Sequence, residues 1–403
     1  MLSLNTNQVE HFSRNWIAFG FFVYFGSFFL LKQGGIVIPF LIFIALPALT
    51  LCIVSRFKCI HDKRSIFVCA AFLGYLSLSA LWGEESLFKA ISQSLCILCL
   101  MLSVEKVSQK FSEDFVMKSI IVIGLVAAIS YTVAIFLSGH DLMAFVTGRF
   151  SFFEMGGWGN TNPIHSAVVI GVPILAAWYF FPGKSWYVKL ALIVTIMLCA
   201  MLMFFTKSRG PMLAVVIMLL CIALYRRERS DLFLLSFFAV VAGVLFLFVD
   251  NLGDIIVNRF EEKNYRLAIW RGGLELFRDH WLFGQGYGTP ARIMDESLFS
   301  PASHTHNTVF EVFRIGGMIG GVLFVYVLVS MIRFSYIHSK NVFYLFWLLF
   351  GLLSLATNGR SPLINPGYYG FFSFWLPLFL FYYMRKIPDS PTTDVSVTPE
   401  KAG

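Results

Sequence analysis

Apolar runs of about 20 residues, broken by short polar links, set the rhythm of this chain, and a run of that length is what one helical membrane crossing needs. By that rule about twelve crossings are expected. They begin near Trp16, Gly34, Ser65, Leu87, Val116, Ile164, Val188, Pro211, Leu232, Thr308, Val342 and Tyr368. The expected fold class is an all-α polytopic membrane protein. One connection breaks the rhythm: residues 250–307, between the ninth and tenth crossings, are far longer than the other links. Long loops are usually functional or disordered. The expected division is 1–249 for spans one to nine, 250–307 for a large external loop, 308–387 for spans ten to twelve, and 388–403 for a disordered tail rich in Pro, Ser and Thr. The first apolar stretch does not read as a cleaved signal peptide, because a second span follows almost at once with no A-x-A-like site between them.

Composition agrees. The chain is 58% hydrophobic and 13% charged, with 45 Phe among 403 residues, more apolar surface than a water-soluble domain needs. The net charge of +8 does not argue for nucleic acid, because the cations sit mostly in alternate short links. Arg56, Lys58, Lys63 and Arg64 follow the second span; Lys106, Lys110 and Lys118 the fourth; Lys184 and Lys189 the sixth. Arg226, Arg227 and Arg229 follow the eighth, Arg333 and Lys340 the tenth, and Arg385 and Lys386 the last. The positive-inside rule then puts both termini in the cytoplasm and makes loops 138–163, 206–210, 250–307 and 357–367 external. None of the seven cysteines falls in those loops, so neither a disulfide framework nor a thiol at an external site is expected. Cys96 and Cys99 form a CxxC that reads as packing inside an apolar helix rather than redox chemistry.

The long loop has helical periodicity. Leu267, Trp270, Leu274, Phe277 and Trp281 recur at spacings of three and four, while Arg266, Arg271, Glu275 and Arg278 fill other faces. That pattern predicts an amphipathic helix lying on the membrane surface or capping the bundle. It ends in the glycine-rich turn Phe283 to Gly288, which is not read as a nucleotide loop because no strand precedes it. The 138–163 loop holds Arg149, Phe150 and a Gly/Trp/Asn-rich stretch; this suits sugar contact, or a turn-rich connector.

Candidate chemistry concentrates at the external rim. Lys207 and Arg209 occupy a very short link between two apolar spans. Cations there run against the topology rule, so an anion site is expected, with Arg209 a bidentate phosphate ligand. Pro211 at the first helical position and Gly210 before it would let the backbone approach the anion. The bland alternative is a pair snorkelling to lipid phosphates. Arg266 opens the amphipathic helix; alone it reads as a solvated face, and beside Arg209 and His306 as a second phosphate ligand. His306 and Asn307 stand at the mouth of the tenth span, and a titratable group there suits function, although a hydrated interfacial histidine is the alternative. If the helix runs unbroken from His306, Gly317 lies about three turns on and faces the same side. Gly316 with Gly320, and Gly317 with Gly321, would then be close-packing pairs roughly 16 Å deeper. His304 and Arg360 are weaker candidates. No HExxH, GxSxG, Walker or D-x-D pattern occurs, so no metal and no cofactor is expected, and cationic side chains would stabilise any phosphate leaving group.

These residues carry a resemblance. The layout of spans, the large loop before the tenth, the pattern His306-Asn307, nine residues, Gly317-x-x-Gly320, the block Tyr265 to Trp270 with Phe283 to Gly288 after it, and the Ser208-Arg209-Gly210 turn together resemble the O-antigen ligases. These belong to a superfamily that also holds O-antigen polymerases and bacterial protein O-oligosaccharyltransferases. The resemblance implies a glycan donor on undecaprenyl diphosphate, lipid A–core as acceptor, and an inner-membrane protein whose site faces the periplasm. It implies His306 as base and Arg209 and Arg266 as ligands of the leaving diphosphate. Lys207, Asn307 and Arg149 are further substrate-binding candidates. A polymerase, an oligosaccharyltransferase and, more remotely, a transporter of lipid-linked sugar remain alternatives.

Overall fold

In a computed structural model of the chain, residues 6–137, 150, 162–248, 265–295, 300–338 and 342–384 are described. Arg149, most of the 138–163 loop, residues 250–264 and the 388–403 tail lie outside them. Every apolar run foreseen is a helix: α1 (Thr6–Leu30), α2 (Val37–Val54), α3 (Lys63–Leu78), α4 (Leu87–Lys110), α5 (Glu113–Leu137), α6 (Pro163–Phe180), α7 (Trp186–Thr206), α8 (Arg209–Arg226), α9 (Arg229–Phe248), α11 (Thr308–His338), α12 (Phe343–Asn358) and α13 (Phe371–Tyr383). The amphipathic helix of the long loop is α10 (Arg266–Asp279). Among the described residues extended pairing is limited to an isolated antiparallel bridge between Ile293 and Ala302.

Eight helices, α2 to α8 and α11, are long and apolar enough to cross a membrane; α12 and α13 are shorter apolar helices. Most of the eight bury only 33–50% of their apolar window, so each keeps a face for lipid, whereas α6 buries 83% and stands in the middle of the bundle. Gly124 of α5 makes that possible, because a Cβ there would lie 2.2 Å from Pro173 of α6.

Links 32–35, 79–86, 206–210 and 357–367 gather at one end of the bundle with the described part of the long loop. Close glycine contacts record it: Gly83 against the Tyr287 backbone, Gly367 against the Gln33 carbonyl, and Gly210 against Thr357. The described parts of loops 206–210, 250–307 and 357–367, all expected on one side of a membrane, therefore share one end; loop 138–163 lies almost wholly outside the described residues.

α11 departs from the expected unbroken helix. Gly317 has φ 61° and ψ −160°, which breaks the helix inside its apolar run. The break would orphan backbone groups, and the loop after α10 supplies them. Gln285 N donates to Arg314 O (2.8 Å), Gly286 N to Ile315 O (3.0 Å), and Met318 N donates to Trp281 O (2.7 Å). Gly284 and Gly317 meet backbone to backbone, leaving no room for a Cβ at either. Gly316 and Gly320 do pack closely, facing Tyr75 and Leu76 of α3. Gly317 thus serves loop docking rather than helix pairing, and residues 308–316 form a rim segment before the long part of α11. After the break, 21 residues remain to His338, about one membrane crossing.

α10 also differs in detail from its periodic reading. Trp270 and Phe277 stack edge-on against Phe310 and Phe313 of that rim segment, at 5.8 and 5.6 Å, and Ile269 and Gly273 are buried. Leu267, Leu274 and Trp281 are exposed. One flank of the apolar stripe caps the bundle and the other stays open.

Gly317→Ala is expected to destabilise the protein by at least about 1–3 kcal/mol, since it combines positive φ with a backbone clash. Gly34→Ala, where a side chain meets nothing within 4 Å, serves as the neutral control in detergent thermal unfolding.

Candidate functional site

His306 lies before α11, not on it. Its φ is 54°, a left-handed backbone rarely adopted without support. The expected alignment with Gly317 along one helix face therefore fails: α11 begins at Thr308 and breaks at Gly317. Three local devices hold the loop instead. Asn307 Oδ1 accepts from Val309 N (2.9 Å) and Phe310 N (3.2 Å), capping α11. Thr305 N and Oγ1 both donate to Glu311 Oε2, at 3.1 and 3.0 Å. His306 O accepts from Gly359 N at 3.1 Å.

Glu311 is buried and paired with buried Arg314 at 2.6 Å. Arg314 also donates to Gln285 Oε1 at 2.7 Å. One ion pair thereby fixes the histidine loop through Thr305 and the glycine-rich loop through Gln285. Neither residue was singled out from sequence, although opposite charges three positions apart inside an apolar run are a signal.

The C-terminus of α12 is where the expected residues meet. His306 Nδ1 lies 3.0 Å from Asn358 Oδ1. Asn358 Nδ2 donates to Tyr369 Oη (3.0 Å), and Tyr369 Oη donates back to the Asn358 carbonyl. With the carboxamide oriented in this way its oxygen can only accept, so Nδ1 of a neutral His306 carries the proton and Nε2 keeps a lone pair. Arg266 Nε donates to the Thr357 carbonyl at 2.7 Å. Gly210, adjoining Arg209, packs against the Thr357 side chain. Gly210, Arg266 and His306 therefore come from three separate segments onto residues 357–359. The roles of Thr357, Asn358 and Tyr369 had no local sequence signal, because they depend on contacts between distant segments.

The Arg209 turn is built differently from its sequence reading. α8 starts at Arg209, so Pro211 sits inside the first turn rather than at its first position. Gly210 allows close approach to Thr357 rather than to an anion. Lys207 caps α7 in a left-handed conformation (φ 47°) and is half-buried, while Arg209 is exposed. Arg149 lies outside the described residues.

On the other side of His306 stands His304, ring centroids 3.9 Å apart. His304 borders a cavity of about 240 Å³ whose walls include Ser303, Arg360, Ser361, Glu311 and Arg314. Burial pushes the His306 imidazole below its usual range; the Asn358 hydrogen bond opposes this, and Arg266 and Arg360 lower it further. Burial, then His306 and Arg360, bring His304 down to about 4. Both rings are neutral at pH 7. Among the described residues no group of three or more His, Cys, Asp or Glu side chains could hold a metal ion.

Residues 192–325 match the family model described as O-antigen ligase. That segment of the 403-residue chain is therefore similar to the O-antigen ligases. The match runs from α7 into α11 and contains Arg209, Arg266, His306 and Gly317. Members of the family are glycosyltransferase-like enzymes acting on lipid-linked glycans and lipid substrates. No curated protein matches the chain.

Glu311→Gln leaves Arg314 buried without its charge partner and is expected to cost about 3–5 kcal/mol, read as a fall in thermal midpoint in detergent. A compensated Glu311→Gln/Arg314→Met protein should recover part of that loss.

Proposed function

We propose that this protein is an O-antigen ligase. It moves a glycan en bloc from undecaprenyl diphosphate to a sugar hydroxyl of lipid A–core, at the periplasmic face of the bacterial inner membrane and with both termini cytoplasmic. The observation that carries this reading is the meeting of the turn that bears Arg209, through Gly210, with Arg266 and His306 around Thr357–Gly359, at the end of the bundle where the long loop docks.

The chemistry follows from that placement. A diphosphate leaves readily once its charge is compensated, so the protein must orient two substrates, stabilise the leaving group and remove one proton. Arg209 and Arg266 supply fixed positive charge, and guanidinium matches phosphate geometry. His306 is held neutral with Nε2 as its basic atom, so it accepts the acceptor hydroxyl proton as that oxygen attacks the anomeric carbon. The C–O bond to the diphosphate breaks, and undecaprenyl diphosphate departs carrying the electron pair. The cavity is lined by His304, whose ring lies against His306, and by Arg360. At about 240 Å³ it is smaller than the ~300–1,000 Å³ usual for small-molecule sites and suits the outer end of an acceptor. No step needs a metal or nucleotide. A polymerase, with a second lipid-linked repeat as acceptor, and an oligosaccharyltransferase, with a Ser or Thr hydroxyl, would use the same donor clamp and base. The name of the matching family favours the ligase.

Deleting the gene should leave bare core on lipopolysaccharide gels and long glycan still on undecaprenyl diphosphate. Core capped by a single repeat would instead mark a polymerase. His306→Ala, Arg209→Ala and Arg266→Ala should each fail to restore the ladder while inserting normally; full restoration by all three refutes the assignment.

The base also predicts a pH profile. Because the folded pKa of His306 lies below 6.5, the neutral form persists as pH falls through 6.5, and transfer is lost only when pH falls through the lower folded value. Asn358→Asp puts a carboxylate at Nδ1–H, raises that pKa and should move the acid limb of kcat/KM to higher pH. An unmoved limb argues against His306 as the base.

A further inference from the structure

A second, roomier cavity lies at the opposite end of the bundle. Tyr75 and Leu76 near the end of α3 meet Gly316 and Gly320 of α11. Toward the start of α3 and the end of α11 the two helices part around a space of about 750 Å³. Ser330 follows Gly317 by 13 residues, so this space is about 20 Å along the helix from the break. None of its wall residues belongs to the site around His306.

The walls carry both signs of charge in distinct places. Arg64 and Arg333, from α3 and α11, are exposed at the rim. Asp62 caps α3, accepting from Ser65 N (3.2 Å), Ser65 Oγ (2.8 Å) and Tyr382 Oη. Glu105 is buried, its side chain 4% exposed. Its Oε1 is engaged by His61 Nδ1 (2.9 Å) and Lys106 Nζ (3.5 Å). Its Oε2 has no hydrogen-bond partner, and neither has the hydroxyl of buried Tyr383; both residues line the cavity. Both atoms are closed off from the cavity as the side chains stand; a buried carboxylate oxygen left unpaired is costly, which favours a turn of Glu105 toward a donor in the cavity. Two further wall residues, Tyr326 and Val329, belong to a face of α11 that continues through Val322 and Val325, all about half exposed. The cavity therefore opens where lipid tails lie.

We propose that this cavity binds one zwitterionic aminophospholipid, its phosphate at Arg64 and Arg333, its ammonium at Glu105 Oε2 and the Tyr383 hydroxyl, and an acyl chain along Tyr326 and Val329. Guanidinium is the fitting partner for phosphate. A wholly anionic headgroup meets Glu105 and Asp62, and a quaternary ammonium has no N–H to give Glu105. A headgroup with both a phosphate and a primary amine satisfies both sets of groups. The site is independent of the ligase reading.

Native mass spectrometry of the full-length protein in detergent tests it, with phosphatidylethanolamine, phosphatidylcholine and phosphatidylglycerol of matched chains as probes. The expected result is one phosphatidylethanolamine per chain, held about tenfold or more tighter than either other lipid, as a charged hydrogen bond warrants. Arg333→Ala, at an exposed position, should weaken it about tenfold. Glu105→Gln should narrow the preference over phosphatidylcholine. Should that variant fail to fold, Tyr383→Phe carries the same comparison. Equal retention of all three lipids, preference for phosphatidylglycerol, or unchanged binding in Arg333→Ala overturns the proposal.

Discussion

Glu311 and Arg314 lie buried in an apolar helix, where neither charge is stable without the other. Their pairing does more than cancel charge, because each has hydrogen-bonding capacity left over. Glu311 spends it on Thr305 and Arg314 on Gln285. Two loops are thereby fixed to one rim segment. The break at Gly317 belongs to the same arrangement, since the backbone groups it frees are taken up by the loop that Gln285 belongs to. Remove the pair and the histidine loop loses its anchor, the glycine-rich loop loses its seat, and the unpaired backbone of α11 loses its partners.

From that rim the proposed chemistry is a matter of placement. Asn358 orients His306, Thr357 ties down Arg266 and receives Gly210, so the end of α12 works as a hub for three segments far apart in sequence. Such a hub suits a reaction between two membrane-bound substrates. Both lipid tails stay in the bilayer while their polar ends meet at its edge. In the proposed reaction His306 would join the donor, held by the arginines, to the acceptor.

Much of the fold was legible in the sequence, because apolar runs of membrane-spanning length leave few alternatives. Charge in alternate links grouped the loops correctly, and Arg209, Arg266 and His306 stood out as cations or titratable groups at a rim. What could not be read depends on backbone geometry and distant contacts. The pattern of Gly316, Gly317, Gly320 and Gly321 looks like helix packing whether or not the helix is continuous. Only the positive φ of Gly317 and its meeting with Leu282 and Gly284 show that half of that motif docks a loop. Asn307 looked like a binding residue beside His306 and is a helix cap. Asn358, which orients His306, sits in a stretch whose composition says nothing of its partner more than 50 residues earlier.

The most direct test is transfer by the purified protein in liposomes, with undecaprenyl-diphosphate-linked glycan and lipid A–core as the only substrates, followed by mass spectrometry of both lipids. The account predicts that glycan-extended lipid A–core and free undecaprenyl diphosphate appear in equal amounts, and that His306→Ala, folded and inserted, yields neither. Transfer at the wild-type rate by that variant would contradict it.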